Sequence, residues 1–227
     1  MAVVLLAITA CTLPRFQPML SAINKAEMTA TSMMMRDGIS LPLRQWLPKK
    51  SPPQAVIIAL HGFNDYSNAF EYPARYFSNQ GVMVLAYDQR GFGNSQRRGV
   101  WGGQQNFVRD VISVIQSVKE KYPEAPVYLL GESMGGAIAI TAAIDPQFPH
   151  EEVAGIILSA PALWGGNSFN LFHRFLLWAA AHNVPSMTLT GKGVKVVASD
   201  NIAMLQALGR DPLVIKETRV DAIYGLV

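Results

Sequence analysis

The chain has 227 residues, of which 50% are hydrophobic and 15% charged, against a usual charged share of about 25%. That composition excludes a disordered, collagenous or coiled-coil chain and supplies ample apolar side chains for a large buried core. The 19 basic and 16 acidic residues are dispersed and leave a net charge of +3; only the short Gln96-Arg97-Arg98 cluster stands out, which is weak support for a nucleic-acid partner, and none is expected.

Met1 to Leu13 carries no charged side chain, and Ala2 to Ile8 is a compact apolar run. A membrane-spanning helix needs about 20 apolar residues, so this run is too short to span, but it has the length of a signal-peptide apolar region. The only cysteine, Cys11, follows Ile8-Thr9-Ala10. It excludes an intramolecular disulfide. The stretch resembles the lipobox of bacterial lipoproteins. That resemblance implies a signal peptide over 1–10 and a lipidated N-terminus and tether over 11–28. It also implies a cell-envelope protein held at a membrane surface through Cys11. The alternative is a buried N-terminal helix with an incidental cysteine in a cytoplasmic protein, because no Lys or Arg precedes the apolar run.

From Thr29 onward short apolar runs alternate with amphipathic stretches, the signature of βαβ units and a mostly parallel sheet. Residues 29–35 and 41–47 read as an opening hairpin turned at Asp37-Gly38. Residues 55–60 (AVIIAL), 82–87 (VMVLAY), 127–130 and 153–158 read as strands buried on both faces. Between them, Asn68 is positioned to cap a helix running to Gly81. Asn106 is positioned to cap a longer one with Phe107, Val111, Val114, Ile115 and Val118 on one face. After Pro161 the rhythm breaks. Trp164, Phe169, Phe172, Phe175 and Trp178 crowd one region, readable as a buried helix or as a lid over an acyl-binding site. The division is then a core over 29–160 and a lid over 161–227.

Gly131-Glu132-Ser133-Met134-Gly135-Gly136 fits G-x-S-x-G, follows the strand VYLL and opens a small-residue helix. That strand–turn–helix setting is what a nucleophile elbow requires, with Ser133 held in a sharp turn beside a helix N-terminus. His61-Gly62-Phe63 closes the strand AVIIAL, where the second half of an oxyanion hole is expected. The backbone N–H groups of Phe63 and Met134 are the candidate donors. His61 reads as a brace for its loop rather than as the general base, and Glu132 as a supporting or solvated group.

HGFNDYS, YDQRGFGNS and GESMGG, in this order, resemble the α/β-hydrolase group of monoacylglycerol lipases and lysophospholipases, classed with the serine aminopeptidase S33 hydrolases. The resemblance implies an α/β-hydrolase fold with a helical lid and a lipid-ester substrate, with no metal or cofactor. Asp88 to Gly93 departs from the commoner histidine-containing version of its motif and reads as a structural turn. A dehalogenase or epoxide hydrolase would carry an aspartate at the elbow. A proline-releasing peptidase of this group tends to carry Trp where Met134 stands.

A serine hydrolase of this fold needs an acid and then a histidine after the nucleophile. Asp145 would lie about 15 Å from the elbow at 1.5 Å per helical residue. Glu151, Glu152 and His150 precede a parallel strand at the opposite sheet edge. His173, His182, Asp200, Asp211 and Asp221 fall in the lid. The family places its acid and histidine after the last two strands, downstream of the lid, so the sequence is expected to be C-terminally truncated, with triad Asp and His not in this chain. The expected function is a serine esterase acting through an acyl-enzyme on Ser133. The alternatives are a non-catalytic lipid-anchored binding protein with a hydrolase fold, or an S33-type peptidase.

Overall fold

The computed structural model describes residues 13–163, 170–191 and 199–227. Cys11, with the apolar run before it, and Trp164 and Phe169 lie outside the described residues.

Among the described residues, seven strands form one sheet. They are β1 (Glu27–Met28), β2 (Ser32–Met34), β3 (Ser40–Trp46), β4 (Ala55–Leu60), β5 (Val82–Tyr87), β6 (Val127–Glu132) and β7 (Val153–Ser159). Their spatial order is β1-β2-β3-β5-β4-β6-β7. β1 to β3 pair antiparallel, and β3 lies antiparallel to β5. β5, β4, β6 and β7 are all parallel. The expected hairpin forms as β2 and β3, with Ser40 opposite Met34 and the turn completed by Gly38 at φ 82°.

Parallel strands with continuous apolar runs are expected to be covered on both faces. This holds for β4 and β5, whereas β7, at the end of the sheet, leaves Ile156, Ile157 and Leu158 exposed, which corrects the expectation for 153–158. α1 (Glu71–Asn79) covers one face, packing Phe70 and Ala74 against Ile57, Ala59, Val84 and Ala86. α2 (Gln104–Lys121) and α3 (Met134–Ala143) cover the other, against Val56, Ile58, Leu60, Met83, Leu85 and Leu129. The five residues expected on the apolar face of α2 are all buried.

Both expected caps are corrected. Asn68 lies inside a single 3-10 turn, Ser67–Phe70, ahead of α1, whose N-cap is Phe70. α2 starts at Gln104 behind Gly103, which at φ 88° turns the chain into the helix. Asn106 is instead a buried side chain whose Nδ2 donates to the Gly102 carbonyl at 2.8 Å.

Beyond β7 come α4 (Leu171–Asn183), β8 (Thr188–Thr190), α5 (Ile202–Arg210), β9 (Glu217–Arg219) and α6 (Val220–Leu226). β8 and β9 pair antiparallel in a separate ribbon. Among the described residues no helix is long and apolar enough to cross a membrane.

Connections run from β4 through α1 to β5 on one side, and onward to β6 and β7 on the other. The strand order therefore reverses at β4. In parallel sheets such a reversal opens a crevice at the carboxyl ends of the strands. His61-Gly62-Phe63 follows β4, Asp88-Gln89 follows β5 and Ser133 follows β6, so the three motifs meet at one edge.

Candidate active site

Ser133 sits between β6 and α3 with φ 49° and ψ −114°. A non-glycine residue with that backbone is strained and persists only where its surroundings hold it. Here its N–H donates to the Ser159 carbonyl at 2.9 Å, and its carbonyl accepts from Ala162 N–H at 2.9 Å and Ala137 N–H at 3.1 Å. The glycines allow the close approach. A Cβ on Gly131 would stand 2.5 Å from the Gly135 carbonyl oxygen, and one on Gly135 only 2.0 Å from that of Leu60. Among the described residues no protein group hydrogen-bonds the Ser133 hydroxyl.

Gly62 brings the second loop against the serine: a Cβ built on it would lie 3.4 Å from Ser133 Cβ. The ring of Phe63 stands edge-on to Phe92, with centroids 5.7 Å apart, which fixes the loop from its outer side. Among the described residues neither the Phe63 N–H nor the Met134 N–H meets a protein acceptor. Met134 opens α3, so its N–H belongs to the unpaired first turn at the positive end of the helix dipole. Two acceptorless backbone donors flanking an accessible serine are what a developing oxyanion requires.

His61 is fully buried. Its Nδ1–H donates to the Gly62 carbonyl at 2.8 Å and its Nε2 accepts from Gln89 N–H at 3.0 Å. Both nitrogens are thereby engaged, which ties the β4 loop to the β5 loop. Burial dominates its titration and pulls the pKa down to about 4, against the Gly62 carbonyl and the Asp88 charge, which favour the cation. The folded value lies below the ordinary 6.5, so the unfolded chain binds the extra proton between those limits. Stability from this group is complete above pH 6.5 and is lost as pH falls toward 4. A drop of that size corresponds to about 3 kcal/mol. The stability advantage of wild type over His61→Gln, measured by urea unfolding, should therefore narrow by about that much between pH 7 and pH 4. An advantage constant with pH would show that His61 is not held neutral.

The YDQRGFGNS turn does more than end a strand. Asp88 accepts from Ser67 N–H at 3.1 Å and Asn94 N–H at 2.8 Å. Arg90 is buried between two carboxylates, donating to both oxygens of Asp110 at 2.7 Å and to those of Asp37 at 2.7 and 3.1 Å. Burial works to raise both acids. For Asp37 the Arg90 hydrogen bonds and charge outweigh it and hold the carboxyl low, whereas for Asp110 burial prevails and lifts it to about 6.

Two further carboxyls stand near the elbow, and both are raised. Glu132 is raised by burial and then by the charge of Asp65, and Asp65 by burial and then by Asp211 and Asp88. Tyr66 donates its hydroxyl to Asp211 at 2.7 Å, while Asn64, at φ 66°, donates its amide to Thr218 Oγ1 at 2.6 Å. The Asn64 carbonyl accepts from Ile215 N–H at 2.9 Å. Burial, then Asp211, pushes the Tyr66 phenol up to about 12. These bonds latch the segment leading into β9 onto the loop that carries Phe63. No local sequence signal marks the latch, since its partners lie 145 and 154 residues apart.

The remaining histidines are placed as follows. His150 lies in the turn before β7, at the end of the sheet away from Ser133, with its ring 5.0 Å from Phe148. His173 and His182 lie on α4. The His173 ring contacts Asn170 Oδ1 at 2.7 Å, and His182 contacts the Trp178 carbonyl at 2.8 Å. Asp145 lies just past the end of α3. Asp221 is fully buried against Arg219. Among the described residues no group of three or more His, Cys, Asp or Glu side chains is placed to hold a metal. α4 leaves Phe172, Phe175 and Trp178 exposed, unlike the buried helix allowed by its sequence.

Residues 51–227 match the family model described as Hydrolase_4, serine aminopeptidase S33. The chain is similar to human monoglyceride lipase, with 34% identity over 183 residues, covering 79% of this chain and 58% of that protein. It is also similar to phospholipase YtpA of Bacillus subtilis, with 28% identity over 184 residues, covering 79% and 64%. It therefore spans less than two thirds of the length of these relatives. Among solved structures, a soluble variant of monoglyceride lipase from Saccharomyces cerevisiae superposes with a TM-score of 0.68 at 21% identity, covering 93% of this chain and 69% of that one. The monoacylglycerol lipase of Paleococcus ferrophilus gives 0.60 at 21%, covering 82% and 68%. The fold is that of an α/β-hydrolase.

Proposed function

The chain belongs to the serine aminopeptidase S33 family of α/β-hydrolases, and from that premise we propose that it is a serine hydrolase of monoacyl lipid esters, a monoacylglycerol or a lysophospholipid. The observation that carries this reading is the strained Ser133 flanked by two backbone N–H groups that meet no acceptor among the described residues. Ser133 Oγ attacks the ester carbonyl. The Phe63 and Met134 N–H groups hold the resulting oxyanion, the alcohol leaves, and water hydrolyses the acyl-enzyme. Ester rather than peptide chemistry is supported by the relatives named as lipases and phospholipase, and by Met134 at the position where a peptidase would carry Trp.

The base that activates Ser133 is, in this reading, a histidine oriented by an aspartate, both from sequence beyond Val227. His61 is excluded from that role because both its nitrogens are engaged. Cys11 carries the lipid that anchors the protein to the bacterial envelope.

A fluorophosphonate probe tests the reading. It should label the product of the whole gene on Ser133 and leave the Ser133→Ala variant unlabelled. Labelling that survives the substitution would move the nucleophile elsewhere, and no labelling of either protein would favour the binding-protein alternative.

The exposed aromatic face of α4 supplies apolar contact for an acyl chain. Replacing Phe172 and Phe175 with serine should lower kcat/KM for a dodecanoyl ester by about ten-fold or more, at about 1.5–3 kcal/mol for each apolar side chain withdrawn from contact. An acetyl ester should be affected less than three-fold. Equal losses on the two substrates would assign the pair to folding rather than to chain recognition.

A further inference from the structure

We propose that the strap formed by residues 13–25, together with Arg36 and the exposed side of α2, is a docking surface for a bilayer containing anionic phospholipid. It is separate from the chemistry at Ser133 and from any lipid on Cys11.

The strap is read in the sequence as a tether, but in the fold it lies against the core and is fastened by polar contacts. Gln17 N–H donates to the Trp101 carbonyl at 2.8 Å and its Nε2 to the Val100 carbonyl at 3.1 Å, while Ile23 N–H donates to the Arg36 carbonyl at 2.8 Å. Gln17 itself is buried. With Gln17 turned inward as its fastening, the strap shows its apolar side chains to solvent. Leu13, Met19 and Ile23 are 75%, 49% and 69% exposed, and Phe16 and Leu20 are exposed as well. Single exposed apolar residues are ordinary, but five within eleven residues on a fastened segment form an interaction surface.

The strap borders a groove of about 450 Å³, into which Met19, Leu20 and Ile112 bring apolar surface and Arg36 and Arg109 bring charge. The third arginine there, Arg90, is consumed by Asp37 and Asp110. Arg36 and Arg109 are exposed, and among the described residues their guanidinium groups make no ion pair or hydrogen bond. An adjoining groove shares Arg36 and adds Lys25 and Lys119. Lys25 is paired with Glu120 at 2.6 Å and Lys119 donates to the Pro123 and Ala125 carbonyls at 2.6 and 3.3 Å, so Arg36 is the unengaged cation there and Glu152 the acid left opposite it.

Unpaired guanidinium groups beside exposed apolar residues match a phospholipid interface, with phosphates meeting the cations and the apolar side chains entering the headgroup boundary. A small soluble anion would use the arginines alone. It would leave Leu13 and Phe16, outside the groove lining, without a role. The strap also touches the segment beyond β7 that carries α4 to α6, the cap, since Arg15 N–H donates to Asp221 of α6 at 3.3 Å. Docking through the strap would therefore bring the cap edge to the membrane.

Sedimentation with vesicles tests this, using the whole-gene product carrying Cys11→Ser so that no acyl anchor contributes. At about 0.1 M salt, where screening acts over about 10 Å, the protein should bind vesicles of equal phosphatidylglycerol and phosphatidylcholine. It should bind pure phosphatidylcholine at least ten-fold more weakly. Arg36→Glu with Arg109→Glu should weaken anionic binding at least ten-fold, each unit of charge being worth about five-fold. Met19→Ser with Leu20→Ser should also weaken it, and neither pair should alter turnover of a short soluble ester. Parental binding by the charge-reversed pair, or equal binding to both vesicle types, would overturn the proposal. So would binding of inorganic phosphate without vesicle binding, which would make the groove a small-anion site.

Discussion

Ser133→Ala in the product of the whole gene should reduce ester hydrolysis by on the order of a million-fold, leaving only the acceleration due to binding and the oxyanion donors. The size follows from the division of labour at the elbow. In the proposed mechanism the Phe63 and Met134 N–H groups stabilise charge that develops only after a nucleophile attacks, so without Oγ they would have only a slow attack by water to assist. Losing one donor alone would cost about 2.7–4 kcal/mol of barrier, a hundred- to thousand-fold. The serine therefore stands apart from its neighbours in the magnitude of its loss. The substitution removes one exposed oxygen and leaves the backbone bonds to Ser159, Ala162 and Ala137 in place, so folding should be unchanged. Single-turnover kinetics on a chromogenic ester, with urea unfolding as the control, would check it. Turnover within ten-fold of wild type would remove Ser133 from the mechanism.

The second large effect is on stability. In an isolated helix alanine is better than glycine by about 1 kcal/mol, yet Gly135→Ala should destabilise by more than about 4 kcal/mol or yield no soluble protein. The added Cβ would lie 2.0 Å from the Leu60 carbonyl oxygen and 2.5 Å from its carbon. Those atoms belong to the buried end of β4, which cannot retreat without moving His61 and the Phe63 loop. Gly209→Ala in α5 is the matched comparison, because nothing lies within 4 Å of its Cβ. That change should be neutral or stabilising by up to about 1 kcal/mol. Similar unfolding midpoints for the two variants would refute the packing explanation.

What the sequence reveals here depends on how far each feature reaches along the chain. AVIIAL and VMVLAY read as strands because burial on both faces leaves no polar residue in either. Ser133 and its glycines read as an elbow because strand, turn and helix are contiguous. An asparagine ahead of an apolar run does not by itself mark a helix cap, because it also serves other ends. The amide of Asn106 is spent on Gly102, and the φ of Gly103 sets the start of α2. The partners of Arg90, 20 and 53 residues away, carry no local signal, because an arginine after a strand looks the same whether solvated or buried. The latch from Tyr66 to Asp211 is the extreme case. No pattern of residue spacing anticipates a tyrosine meeting an acid across 145 positions.

That latch makes the cap and the Phe63 loop thermodynamic partners. Asn64 is the residue after Phe63, and it binds the cap through both its side chain and its carbonyl. Whatever favours the ordered loop must favour the seated cap to the same degree, and the reverse holds equally. A covalent adduct on Ser133 that draws on the Phe63 N–H would slow the opening of the 211–219 segment and shield it from proteolysis and hydrogen exchange. Loosening the cap, in turn, would leave the loop with more conformations in which the donor is turned away. On the proposed function, substrate admission and readiness for chemistry would then not be independent settings of this molecule: each would be adjusted at the expense of the other.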